Sequence, residues 1–181
     1  MLKQIKLRTA AFVAGLVLCG SSIAGPITVD AGWYGFCFGG TGSAATAGCQ
    51  NDGVGSVGNA ITFTAVADTW FRVTDAYMDG DVFEVIINGN SFFTSAASAT
   101  GFQAGGDPDA AYADARISSG QWLLGAGDYS IEIFAAASPM GSGAAYLQAE
   151  TAAAEVPEPA SLALVGLGLV GLAAARRRKQ D

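Results

Sequence analysis

Apolar and polar side chains alternate in short bursts through the middle of the chain. The bursts are Ile61-Thr62-Phe63-Thr64-Ala65, Thr69-Trp70-Phe71-Arg72-Val73-Thr74, Val82-Phe83-Glu84-Val85-Ile86-Ile87, Ser91-Phe92-Phe93-Thr94, Gln121-Trp122-Leu123-Leu124, Tyr129-Ser130-Ile131-Glu132-Ile133-Phe134 and Ala145-Tyr146-Leu147-Gln148-Ala149. Each is short and rich in β-branched or aromatic residues, so each predicts a strand. Asn88-Gly89 predicts a two-residue hairpin, because both positions tolerate positive φ. Asp79-Gly80 and Gly127-Asp128 predict further turns. No part of the body keeps the i, i+3, i+4, i+7 spacing that an amphipathic helix requires. The expectation is an all-β domain, an antiparallel β-sandwich of jelly-roll or immunoglobulin-like kind. Residues 101–120 read as a long connection with a short helical turn at 109–115.

A period of two assigns faces. In the strand from Tyr129 to Phe134, Tyr129, Ile131 and Ile133 share one side and Ser130, Glu132 and Phe134 the other. The predicted core is Phe63, Phe71, Val73, Phe83, Val85, Ile87, Ile131, Ile133 and Leu147. Trp33, Trp70 and Trp122 stay open between core and exposed platforms that could stack on sugar rings.

Both ends break the alternation. Lys3, Lys6 and Arg8 precede an apolar run from Ala10 to Gly20, and Ser22-Ile23-Ala24 forms a small-x-small site. This pattern predicts a helical signal peptide over residues 1–24, cut by signal peptidase after Ala24. At the other end Pro157-Glu158-Pro159 precedes an uncharged segment, residues 160–175, and then Arg176, Arg177, Arg178 and Lys179. A helix is favoured only after the second proline. At a rise of ~1.5 Å per residue this single span covers ~24 Å, short of a ~30 Å hydrocarbon core but workable when arginines snorkel and the bilayer thins. The basic residues 176–179 hold their end on the cytoplasmic side and place the body, residues 25–155, outside.

The tail over residues 156–181 resembles the PEP-CTERM sorting signal, through Pro157, Glu158 and Pro159, the span from Leu162 to Ala175, and Arg176 to Lys179. The resemblance implies export across the inner membrane of a two-membrane envelope and cleavage near the Pro-Glu-Pro motif by an exosortase. It also implies delivery to the cell surface or an exopolysaccharide matrix. The stretch from Val73 through Gly89, with Ser118-Ser119-Gly120 and Leu124 to Ile131, is loosely similar to the β-rich bodies of such proteins, a likeness that names no activity.

Charge narrows the partners. Of nine basic residues only Arg72 and Arg116 fall in the body, against fourteen of the sixteen carboxylates. Such a surface repels phosphate backbones and excludes nucleic acid as a partner. It suits solubility outside a cell, divalent cations or neutral sugars. Of the three cysteines, Cys19 lies in the expected leader, and the remaining Cys37 and Cys49 are expected to bridge in an oxidising compartment.

The catalytic inventory is short. The sequence holds no His, which excludes Ser-His-Asp and Cys-His systems and imidazole-ligated metals. Carboxylates remain, in two groups: Asp75, Asp79, Asp81 and Glu84 around one turn, and Asp107, Asp109 and Asp114 in the long connection. They read as turn formers, as oxygen ligands for Ca²⁺ at Asp75, Asp79 and Asp81, or as a paired-carboxylate glycosidase. The expected function is that of an exported, non-enzymatic protein of structural or adhesive role, with no cofactor unless Ca²⁺ binds. The alternatives are a carbohydrate- or calcium-binding module and, third, a carboxylate-dependent glycoside hydrolase.

Overall fold

The computed structural model describes residues 24–49 and 53–153. The tail, with Pro157, Glu158, Pro159, the expected span 160–175 and Arg176 to Lys179, lies outside the described residues, as does the leader before Ala24. Among the described residues no helix is long and apolar enough to cross a membrane.

The described chain is mostly β-strand in mixed sheets, with almost no helix. The first sheet has the order β1 (Ala24–Pro26), β4 (Gly58–Ala65), β11 (Gly127–Ala137), β7 (Val82–Ile87), β8 (Asn90–Phe93). The second runs β10 (Ser119–Leu124), β5 (Thr69–Asp75), β12 (Gly143–Thr151), β2 (Tyr34–Phe38), β3 (Gly55–Ser56). A small pair, β6 (Tyr77–Met78) with β9 (Gln103–Gly105), and one helix, α1 (Pro108–Ala113), complete the described elements.

Alternation explains why the two larger sheets share a core. In β4, Ile61, Phe63 and Ala65 are buried while Thr62 and Thr64 are exposed; in β5, Phe71 and Val73 are buried against Trp70 and Arg72 on the opposite face. Phe63 of the first sheet stacks on Phe71 of the second with centroids 5.9 Å apart, and Phe83 meets Phe36 edge-on at 5.4 Å. Every predicted core residue is buried in this one cluster. Each such side chain contributes about 1.5–3 kcal/mol through removal from water.

Four expectations need correction. The sheets are not purely antiparallel: β1 runs parallel to β4, and β2 parallel to β3, at one edge of each sheet. The chain leaves β1 for the second sheet before returning as β4, and a long excursion of that kind lets two strands align in parallel. Gly127-Asp128 is not a turn but the start of β11, paired with Ala65 and Thr64. Residues 101–120 are not a bare connection, since they hold β9, α1 and the start of β10. The helical turn starts one residue early at Pro108, because Asp107 caps it by accepting from Asp109 N and Ala110 N and Pro108 needs no donor in the first turn. The Asn88-Gly89 hairpin forms as predicted, with φ of 47° and 83° and Ile87 opposite Asn90.

Candidate functional site

Three places collect the chemistry-bearing residues. The first is the corner where β5 passes through β6 into β7. It brings Asp75, Asp79 and Asp81 together, all of them buried. Asp75 accepts from Ala76 N at 2.8 Å and from Asp81 N at 3.3 Å. Burial pushes its carboxyl up to about 8, and the neighbouring Asp81 charge adds to the rise. Burial also raises Asp81, opposed by a hydrogen bond from Ser138, and its Oδ1 has no partner.

Asp79 behaves oppositely. It accepts from the Thr100 hydroxyl and from the backbone N–H groups of Thr100, Gly101 and Phe102, between 2.9 and 3.1 Å for the backbone donors. The Thr100 hydroxyl, followed by those backbone donors, holds its carboxyl below the ordinary value. Gly80, at φ +119°, is required here: a Cβ would lie 2.8 Å from Ala99 Cβ. The corner is therefore a clasp on the loop 95–102. Among the described residues no group of three or more His, Cys, Asp or Glu side chains is arranged to hold a metal ion.

The second group of carboxylates does not converge. Asp107 caps α1, Asp109 accepts from Trp33 Nε1 at 2.9 Å, and Asp114 forms a two-pronged pair with Arg116 at 2.9 and 2.6 Å. The Arg116 side chain holds the Asp114 carboxyl down to about 2. Arg116 also lies over the Phe102 ring, 3.4 Å from its centroid.

Cys37 and Cys49 are joined, with Cα atoms 5.2 Å apart. The bridge fastens the glycine-rich segment after β2 to the second sheet, where Cys37 and Thr46 also exchange backbone hydrogen bonds of 2.8 Å. Ala24, the expected cleavage residue, stands opposite Gly58 in β1. A cut after it leaves Pro26 opposite Thr62, and Ile27 N donating to Thr62 O at 2.9 Å.

The outer face of the second sheet is the third place, and it holds Trp70, one of the three tryptophans open between core and platform, beside residues that residue-type counting did not single out. It is the polar half of the alternation that located the core. Cross-strand register sets Leu123, Trp70 and Glu150 in one row and Gln121, Arg72 and Gln148 in the next. Arg72 Nη1 donates to Glu150 at 2.6 Å, and its guanidinium lies 5.5 Å from the Tyr112 ring. Helix α1 covers the far end of this face, where Trp33, Tyr146 and Ala76 are buried and Tyr77 and Tyr112 pack against them. The three tryptophans are thereby distinguished: Trp33 is buried with its nitrogen satisfied, Trp122 packs inward on Phe71 and Phe92, and Trp70 stays half-buried on the outer face.

A shallow groove of about 570 Å³ crosses the outer side of the first sheet. Thr62, Thr64, Asn88, Asp128 and Ser130 are among its lining residues, while Tyr129 stacks on Phe63.

The family model for the PEP-CTERM protein-sorting motif matches residues 155–179. That motif marks an exported protein whose membrane-anchored precursor is sorted by an exosortase. Neither the curated proteins nor the solved structures give a match.

Proposed function

We propose that the chain is a cell-surface or exopolysaccharide-matrix protein of structural or adhesive role, carrying a β-sandwich of jelly-roll or immunoglobulin-like kind. The observation that carries this reading is the sorting motif at residues 155–179, which follows directly on a body whose last described strand ends at Thr151. Two five-stranded sheets over a common core support the sandwich. In this reading the leader 1–24 is removed by signal peptidase, and the body 25–155 is carried outward ahead of the span 160–175.

The body is read as non-catalytic. It lacks His and Lys, and of its carboxylates Asp107 caps α1, Asp79 clasps the loop 95–102, Asp109 accepts from Trp33 and Asp114 pairs with Arg116. The calcium alternative draws no support from the geometry of Asp75, Asp79 and Asp81, because the oxygens of Asp79 are taken by the 100–102 backbone. The carbohydrate alternative keeps one specific support, the partly exposed Trp70 on the outer face of the second sheet.

Cell fractionation of the intact chain against a variant with Pro157, Glu158 and Pro159 all replaced by Ala tests the reading. The parent should appear at the surface or in the matrix with its tail removed, and the variant should stay uncut in the inner membrane. An unchanged distribution and mass would defeat the proposal.

A further inference from the structure

We propose that the outer face of the second sheet is a binding site for a neutral polysaccharide chain, with Trp70 as its stacking platform. The proposal rests on the matrix-facing reading above for its biological opportunity. Its chemistry is independent of that reading.

Sugar rings present two kinds of surface, apolar C–H faces and a rim of hydroxyls. A site for them combines an aromatic or aliphatic plane with a few fixed donors and acceptors. The row Leu123, Trp70, Glu150 supplies the plane and one acceptor. With strands ~4.8 Å apart, it spans about 10 Å across three neighbouring strands. Leu123 is 53 % exposed and stands directly beside Trp70, so the two together extend the apolar surface of the row. The adjoining row adds Gln121, exposed, whose amide offers a donor and an acceptor and whose Oε1 is held by Tyr112 Oη at 3.0 Å. Beside Glu150 a small recess of about 130 Å³ opens between Gln148, Asp30 and Gly32.

Charge selects the occupant. The body carries fourteen carboxylates against two arginines, so its long-range field repels anionic polymers. On this face the one arginine is cancelled locally by Glu150. With Arg72 paired to Glu150 and Asp30 at the rim, this face has no cationic group left over, which fits an uncharged, hydroxyl-rich chain and disfavours an acidic one. The groove over the first sheet is the weaker candidate. Its polar lining is hydroxyl, amide and carboxylate, and its two aromatic rings, Tyr129 and Phe63, are stacked on each other at 5.3 Å.

The test is a titration of the full-length chain, held in a detergent without sugar headgroups, with cellohexaose, laminarihexaose and polygalacturonate, followed by tryptophan emission. A saturable response to at least one neutral glycan and none to polygalacturonate is expected. Trp70→Ala should weaken binding by about tenfold or more. Trp70→Phe should retain binding with a smaller emission change, and Leu123→Ala should weaken it severalfold without altering far-ultraviolet dichroism. A flat titration with both neutral glycans at millimolar concentration overturns the proposal, as does equal binding of polygalacturonate. Unchanged affinity in Leu123→Ala also overturns it, and this variant decides alone where Trp70→Ala fails to fold. A negative result leaves the sorting reading intact, and a failure of sorting leaves the titration valid.

Discussion

The two five-stranded sheets have matching inner faces and unlike outer ones. Inside, both present Phe, Ile, Val and Ala to a single core. Outside, the first sheet shows mostly small hydroxyl and carboxylate side chains such as Thr62, Thr64, Ser130 and Glu132, with Phe93 and Phe134 flanking Glu84. The second is half-roofed by α1 and a cluster of aromatic rings, and the part left open carries Trp70 beside a charge pair. The inner faces are alike because burial admits few residue types. The outer faces differ because each is free to take on a separate task, and so a function is to be sought where the two sheets differ.

Removing a ring from the roof should break this difference most severely. Trp33→Ala takes away a residue 6 % exposed, its packing on Tyr112, and the donor that Asp109 Oδ1 accepts. The loss should be about 3–5 kcal/mol in chemical denaturation. An effect below about 1 kcal/mol would mean that the roof is not part of the cooperative fold.

The disulfide is the next test, because it is anchored in β2 of the second sheet while the loop it closes reaches β11 of the first, with Gly42 N donating to Ala135 O at 2.7 Å and Ala45 N to Ile133 O at 2.8 Å. Replacing Cys37 and Cys49 together by Ser should cost about 3 kcal/mol through the freed unfolded chain. Reduction of the parent protein should lower its melting temperature to the same value as the double variant, and a mismatch would expose a cost of the serines themselves.

The clasp at the sheet corner sets the pH dependence. Asp75 has a folded pKa raised to about 8, so it binds its proton in the folded state where the unfolded chain has released it. Its contribution is fully present below the ordinary aspartate range, near 4, and is lost as pH rises toward 8, at no more than about 1.4 kcal/mol per pH unit. The raised pKa of Asp81 acts in the same direction. Asp79 and Asp114 act oppositely: their lowered values give stability that is present above the ordinary range and lost as pH falls below it. Melting temperature should therefore pass through a maximum near pH 4 and decline toward pH 8. Asp75→Asn should flatten the alkaline side, and an unaltered slope would remove Asp75 as its cause.

How far the sequence foretold this structure depends on the range of the interaction. Phe71, Val85, Ile131 and Leu147 were recognisable as core because a two-residue period needs only local reading, and Val82 to Ile87 forms a strand with the predicted limits. Tyr34-Gly35-Phe36-Cys37-Phe38 was not recognised as β2, since Gly35 and Cys37 stand where polar residues normally mark the alternate face. The parallel edges stayed hidden because nothing within β1 or β3 records where the chain returns. The carboxylates were legible as residue types and opaque in role. Asp79 is settled by donors more than twenty residues away, and Asp109 by an indole seventy-six positions earlier. Cys37 and Cys49 were the easy case, with no other partner in the body.

The smallest expected effect separates stability from function most cleanly. Glu132 on the first sheet and Leu123 on the second are both exposed, and among the described residues neither side chain makes a hydrogen bond or packs into the core. Substitution of either by Ala should change stability by no more than about 0.5 kcal/mol. If the outer faces were equivalent, the two variants would also be equivalent in every binding measurement. If the second sheet holds the polysaccharide platform, Leu123→Ala loses affinity for neutral glycans at unchanged stability while Glu132→Ala does not. A parallel loss in both variants would show that binding is not confined to the outer face of the second sheet, because Glu132 lies on the other sheet and Leu123→Ala changes no charge.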